Sequence, residues 1–172
     1  TLTAINTTIS NQQYTTHLLH GITGSGKTEV YLQAIKKITS SGKQALVLIP
    51  EIGLAPQAEA RFKKYFGDKV ISFHSAKNER ERLDAWLSAK KGMVDVVIGT
   101  RSSIFLPMKN LGMIVVDEEH DQSFKQFDRF RYSARDLALY RAKVSNIPLI
   151  LASATPSLES LNNAITGKYF HL

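Results

Sequence analysis

The eight residues Gly21-Ile22-Thr23-Gly24-Ser25-Gly26-Lys27-Thr28 constrain this chain more than any other stretch. They fit Gly-x-x-x-x-Gly-Lys-[Ser/Thr] at every fixed position. A short, largely apolar run, Thr16 to His20, precedes them, and apolar residues at helical spacing, Glu29 to Ile35, follow. Strand, glycine turn and helix start form the setting in which this pattern makes a phosphate-binding loop. The glycines let backbone N–H groups close around phosphate oxygens. A helix beginning near Gly26 aims its unpaired N–H groups and dipole at the same anion. In such a loop Lys27 reaches the β- and γ-phosphates, and the Thr28 hydroxyl ligates Mg²⁺. The competing reading is a glycine-rich turn whose lysine is merely solvated.

The rest of the pattern fits the fold such a loop requires. Strands are predicted at 17–20, 45–49, 70–73, 94–98, 112–116 and 147–152, most of them continuous apolar runs such as Ala45 to Ile49 and Met113 to Val116. Continuous hydrophobicity implies strands buried on both faces, as in a parallel sheet covered by helices. Helices are predicted at 27–40, 55–66, 77–91, 132–143 and 157–165. Pro56 is placed to open one of them, and Gly42, Gly67, Gly92 and Gly167 to close others. The polar stretch Thr7 to Thr16 reads as a connecting loop. The prediction is one doubly wound, mainly parallel α/β domain with helices on both faces and ligands beyond the carboxyl ends of its strands.

A second chemical feature is Met113-Ile114-Val115-Val116-Asp117-Glu118-Glu119-His120, an apolar strand ending in three acids and a histidine. A carboxylate there can hold Mg²⁺, and its neighbour can orient and deprotonate an attacking water. Asp117 is therefore assigned to the metal and Glu118 to the general base. The alternative is a helix N-terminus decorated with acids. Asp117 follows Lys27 by two or three strand–helix units, so their strand ends can flank one pocket at a topological switch point.

Composition narrows the class. The chain has 172 residues, 43% hydrophobic and 22% charged, which is ordinary for a globular domain and not for a disordered one. No apolar run approaches a membrane span and no signal-peptide pattern opens the chain. With no cysteine there are no disulfides or cysteine–zinc sites in these residues, which fits a cytosolic protein. The net charge of +7 suits a polyanionic partner, or serves only solubility. The chain opens with Thr rather than Met, so it is expected to be a piece of a longer protein.

With Ser153-Ala154-Thr155 added, the loop and Asp117-Glu118-Glu119-His120 resemble motifs I, II and III of superfamily 2 helicases of the DEAH type. Longer segments are similar to the PriA family of bacterial replication-restart helicases. They are Leu18 to Tyr31, Pro50 to Gln57, Gly99 to Ser102 and Tyr132 to Ala138, so the resemblance covers nearly the whole chain. It implies that residues 1–172 form a RecA-like P-loop NTPase domain, the first of two motor lobes. It implies ATP and Mg²⁺ as ligands, and ATP hydrolysis driving 3′-to-5′ movement on single-stranded and forked DNA in the bacterial cytoplasm. Primosome and single-strand-binding proteins are the implied partners. The second lobe, with the arginine that completes the ATPase site, and the zinc-binding cysteines would lie downstream, leaving these residues alone poorly active. In such folds the motif III strand separates the strands of motifs I and II, so Ser153 and Thr155 would couple hydrolysis to DNA. Two departures stand out. His20 replaces an expected acid, and the adenine-reading glutamine upstream of the loop has no clear counterpart, Gln12 and Gln13 included. Two other classes remain open: another superfamily 2 translocase of the restriction type, and a small P-loop kinase.

Three segments are candidates for DNA contact. Pro50 to Gln57, with Gly53 and Gln57, suits phosphate contact after a strand end, or is a plain βα loop. Thr100, Arg101 and Ser102 supply hydroxyls and a cation to grip a backbone, unless Arg101 is tied up within the protein. Phe124 to Tyr132 interleaves four aromatics with three cations, a pattern for base stacking and phosphate tracking, with Phe127, Arg129 and Arg131 foremost. Phe124 or Tyr132 could instead enter the core. This segment resembles the aromatic-rich loop that links DNA binding to hydrolysis in PriA and RecQ helicases, and it starts close enough to His120 to reposition Glu118. Trp86, with Leu83 and Leu87, is read as core, His74 as a satisfied polar group, and Glu79 to Arg82 as a solvated helix face.

Overall fold

A computed structural model describes residues 1–11, 13–50 and 56–172, with the backbone alone at 56 and 57. Its strands are β1 (Thr16–His20), β2 (Gln44–Leu48), β3 (Val70–Phe73), β4 (Val96–Gly99), β5 (Leu111–Asp117), β6 (Lys125–Gln126), β7 (Tyr132–Ser133), β8 (Leu149–Ser153) and β9 (Phe170–His171). The helices are α1 (Leu2–Asn11), α2 (Lys27–Ser40), α3 (Pro56–Phe66), α4 (Glu79–Lys91), α5 (Ala134–Val144) and α6 (Leu158–Ile165). Seven strands form one parallel sheet in the order β3-β4-β2-β5-β8-β1-β9, and β6 and β7 make a separate antiparallel ribbon.

The sheet exists because its strands are apolar on both sides. Leu46 and Leu48 face one layer, with Ala85 and Ala89 of α4, Ala138 of α5 and Ala164 of α6. Ala45 and Val47 face the other, with Ile5 and Ile9 of α1, Ile35 of α2 and Phe62 of α3. Strand β8 lies between β1 and β5, pairing Ser153 with His20 and Ala152 with Asp117. The ends of β1, β8 and β5 therefore emerge side by side.

Three sequence expectations need correction. Residues 7–16 are not a loop, since α1 runs through Asn11 and β1 already includes Thr16. The threonines and asparagines of α1 have weak helix propensity, but burial of Ile5 and Ile9 overrides it. Lys37 also donates to the Asn6 carbonyl at 2.8 Å and to Ser10 Oγ at 2.8 Å. Helix α5 starts at Ala134, not 132, because Tyr132 and Ser133 pair with β6 and the Ser133 hydroxyl caps the helix. Trp86 is half-buried against the core with the Lys90 ammonium 4.8 Å from its ring centroid, but Leu83 is 56% exposed.

Candidate functional site

The residues Gly21 to Thr28 leave the end of β1 and enter α2. The Gly21 N–H donates to the Ser153 carbonyl at 3.2 Å, which ties the start of the loop to β8. Gly24 and Gly26 have φ of +80° and +88°, and a Cβ at either would meet nothing within 4 Å. Their backbone is thus bare and open to the cleft. Gly26 is the N-cap of α2 and has no side chain to bond the helix's first N–H groups. Ile22, Thr23 and Ser25 are exposed, and Ser25 N–H closes the turn onto the Ile22 carbonyl at 3.1 Å. Lys27 Nζ donates to the carbonyls of Gly21 and Ile22.

Asp117 ends β5 and faces the same space. Its Oδ2 accepts from the Tyr31 hydroxyl at 3.0 Å, and its Oδ1 from Glu118 N–H at 3.1 Å. Burial pushes its carboxyl above the usual carboxylate range, a rise the Tyr31 hydrogen bond opposes. Glu118 has φ of +47°, an uncommon conformation for a non-glycine residue, and its side chain is 40% exposed. Lys27, Thr28, Asp117 and Glu118 line one cleft of about 810 Å³, with Arg61 and Lys64 of α3 on its opposite wall. The sequence reading did not single out that wall, because Arg61 looks like any exposed helix cation until α3 is placed.

Glu119 and His120 are not among the residues that line the cleft, although His120 Nδ1 lies 3.7 Å from Glu118 Oε2. Glu119 is fully buried and accepts from Ser157 N–H at 2.7 Å, Ser160 Oγ at 3.0 Å, and Ser157 Oγ and Arg135 Nη1, both at 3.2 Å. Its four donors come from the starts of α5 and α6. His120 Nδ1 is 2.7 Å from Ser153 Oγ, and its Nε2 is 3.2 Å from Thr155 Oγ1. Ser153 is buried, whereas Thr155 is exposed. His20, also exposed, stacks on His171 with ring centroids 5.5 Å apart.

The proposed DNA contacts divide. Gly53 lies outside the described residues, as does the side chain of Gln57. Thr100 is only 4% exposed, which removes its hydroxyl from the surface. A Cβ at Gly99 would sit 1.8 Å from Ser103 Oγ, so the turn here folds too tightly to present every side chain. Arg101 and Ser102 remain partly exposed, and Arg101 Nη1 donates to the Lys125 carbonyl at 3.2 Å. That bond joins the turn to the β6–β7 ribbon. Phe127, Arg129, Phe130 and Arg131 are exposed at the ribbon's tip, and Phe124 is core. Tyr132 is half-buried, with Phe105 edge-on at 5.0 Å and Phe130 at 5.8 Å. Phe105, exposed yet not singled out from the sequence, joins the ribbon's aromatic surface.

A parallel sheet with a glycine loop at β1, acids at the end of β5 and a hydroxyl strand between them defines a RecA-like P-loop domain. The chain belongs to the DEAD/DEAH box helicases, whose family model matches residues 2–164. Nucleotide and Mg²⁺ use is general to that family. The chain is 55% identical over 155 residues to the replication restart protein PriA of Haemophilus influenzae, covering 90% of this chain and 21% of that protein. It is 47% identical over 165 residues to PriA of Bacillus subtilis, covering 96% and 20%. The chain thus spans about a fifth of the length of these relatives. Among solved structures, RecG bound to a three-way DNA junction matches with a TM-score of 0.71 and 25% identity, over 98% of this chain and 22% of that one. The yeast DEAD-box splicing factor Prp28 shares the fold at a TM-score of 0.65 and 21% identity, over 90% and 40%. Among the described residues no helix is long and apolar enough to cross a membrane.

Proposed function

We propose that residues 1–172 are the first motor lobe of a PriA-type replication-restart helicase, which couples ATP hydrolysis to 3′-to-5′ movement on single-stranded and forked DNA. One observation carries this reading: Lys27, Thr28, Asp117 and Glu118, distant in sequence, line a single cleft. The site fits a nucleotide and its metal. The open glycine backbone and uncapped α2 N-terminus suit phosphate oxygens, and a carboxylate strained by burial suits a divalent cation. Gly21 to Thr28 would cradle the phosphates, with Lys27 exchanging its two carbonyl acceptors for phosphate oxygens. Thr28 and Asp117 would hold Mg²⁺, which when bound neutralises phosphate charge and orients the terminal group. Glu118, partly exposed beside Asp117, would take the proton of the attacking water.

His120, Ser153 and Thr155 would carry the state of that site toward the DNA face. Arg101, Ser102, Phe127, Arg129 and Arg131 would meet the strand, joined by Gly53 and Gln57. The ribbon tip would act as the coupling element, since Arg101 ties it to the turn after β4 and β6 follows the Glu119–His120 turn closely. Primosome and single-strand-binding proteins would be partners of the whole protein, and zinc would bind elsewhere in it. DNA-stimulated ATPase of the complete protein tests the reading. Lys27→Ala should abolish turnover, and Phe127→Ala with Arg129→Ala should remove DNA stimulation. Unaltered stimulation in the double variant would exclude the ribbon as the coupling element.

A further inference from the structure

We propose that Arg61 is a phosphate ligand of the cleft, gripping the terminal phosphate of a nucleoside triphosphate from the α3 side, with Lys64 as outer electrostatic support. The inference rests on the reading of the Lys27–Asp117 cleft as a triphosphate site. Arg61 borders the large space beside Gly24, Lys27 and Thr28, and also an adjoining recess of about 340 Å³ against Tyr31, Asp117 and Glu118. It therefore stands at the acidic end of the cleft. Lys27 and Thr28 set that end as the place of the terminal phosphate, because the loop lysine spans the last two phosphates.

The helix sorts its cations by face. Lys63 pairs with Glu59 at 2.8 Å, and Glu59 also accepts from Ser72. Arg61 and Lys64, three apart on the other face, have no ion pair among the described residues. Their positions are preset. Phe62, 2% exposed, stacks on Tyr31 at 6.3 Å, and the Tyr65 hydroxyl donates to Glu29 at the start of α2. These contacts hold α3 across from the loop. A planar guanidinium with several donors matches phosphate oxygens better than an ammonium can.

Binding of a non-hydrolysable ATP analogue and of ADP, each with Mg²⁺, is measured by calorimetry on the complete protein and on its Lys27→Ala, Arg61→Ala and Arg61→Lys variants. Arg61→Ala should weaken the triphosphate analogue about tenfold and ADP by less than about twofold, with partial recovery in Arg61→Lys. Single-stranded DNA affinity should not change. Equal weakening of both nucleotides, or no weakening while Lys27→Ala abolishes binding, overturns the role of Arg61 alone. Loss of DNA affinity with nucleotide affinity intact also overturns it, assigning Arg61 to the strand. If the unsubstituted protein binds neither nucleotide, the triphosphate reading falls and takes this inference with it.

Discussion

His120 and Ser153 meet at 2.7 Å, Nδ1 to Oγ, although they lie on different strand ends. The bond links the turn after β5 to the end of β8, and Thr155 extends it through Nε2. If the two side chains act as one unit, their effects will not add. His120→Ala and Ser153→Ala should each reduce DNA-stimulated turnover of the complete protein. The double variant should be little worse than the poorer single one, with a coupling energy of about 1 kcal/mol. Strictly additive losses would mean that the two residues act separately.

Gly26 and Lys27 should separate backbone from charge. Gly26 has φ of +88°, where any side chain is strained although its surroundings are open. Gly26→Ala should lower stability by about 1–2 kcal/mol and weaken nucleotide binding. Lys27→Ala should abolish nucleotide binding with an unchanged melting temperature, because its bonds are local to the loop. Calorimetric titration and a thermal melt on each variant check both outcomes.

Glu119 has a different task from its neighbours. Its carboxylate is inaccessible and holds the starts of α5 and α6 together through Arg135, Ser157 and Ser160. Arg135→Ala removes the counter-cation and should cost about 2–4 kcal/mol in urea unfolding. Glu119→Gln keeps the shape but weakens charged bonds, and should cost less. A surface-like loss below about 0.5 kcal/mol for Arg135→Ala would contradict this role.

His17 makes stability depend on pH. It is buried on β1, with Nε2 2.9 Å from Thr8 Oγ1 and, among the described residues, no partner for Nδ1. Burial lowers its pKa from 6.5 to about 4. Above about pH 6.5 the imidazole is neutral in both states, and its contribution is intact. As pH falls toward 4 the unfolded chain binds a proton that the folded chain refuses, so stability declines, by at most about 3 kcal/mol. Urea midpoints between pH 4 and 7 should show this slope, and His17→Phe should remove that portion of it.

How much could be read in advance depended on whether a feature was local. The six main strands were legible because burial on both faces writes unbroken apolar runs, as in Met113 to Val116. The placement of the loop between β1 and α2, and of Asp117 at the end of β5, was legible because an apolar run leads into each. Helix α1 was hidden because only Ile5 and Ile9 mark its buried face amid polar residues. Strand β9 is two residues long and carries no periodicity. The four donors to Glu119 were invisible because they come from Arg135, Ser157 and Ser160, brought together only by the layering of α5 and α6. Thr100 and Arg101 show the limit of side-chain chemistry alone. The first turned inward and the second turned toward a neighbouring ribbon.

The place of β8 has a mechanical consequence. Every residue from Leu149 to Ser153 is in register with β1, and Leu149 to Ala152 are also in register with β5. Prising the phosphate loop away from the acids would mean tearing a fully hydrogen-bonded strand from one flank or the other. The plate beneath the cleft is therefore stiff, and any movement of the loop relative to the acids has to be delivered at its rim, by turns, caps and facing surfaces rather than by bending through its middle.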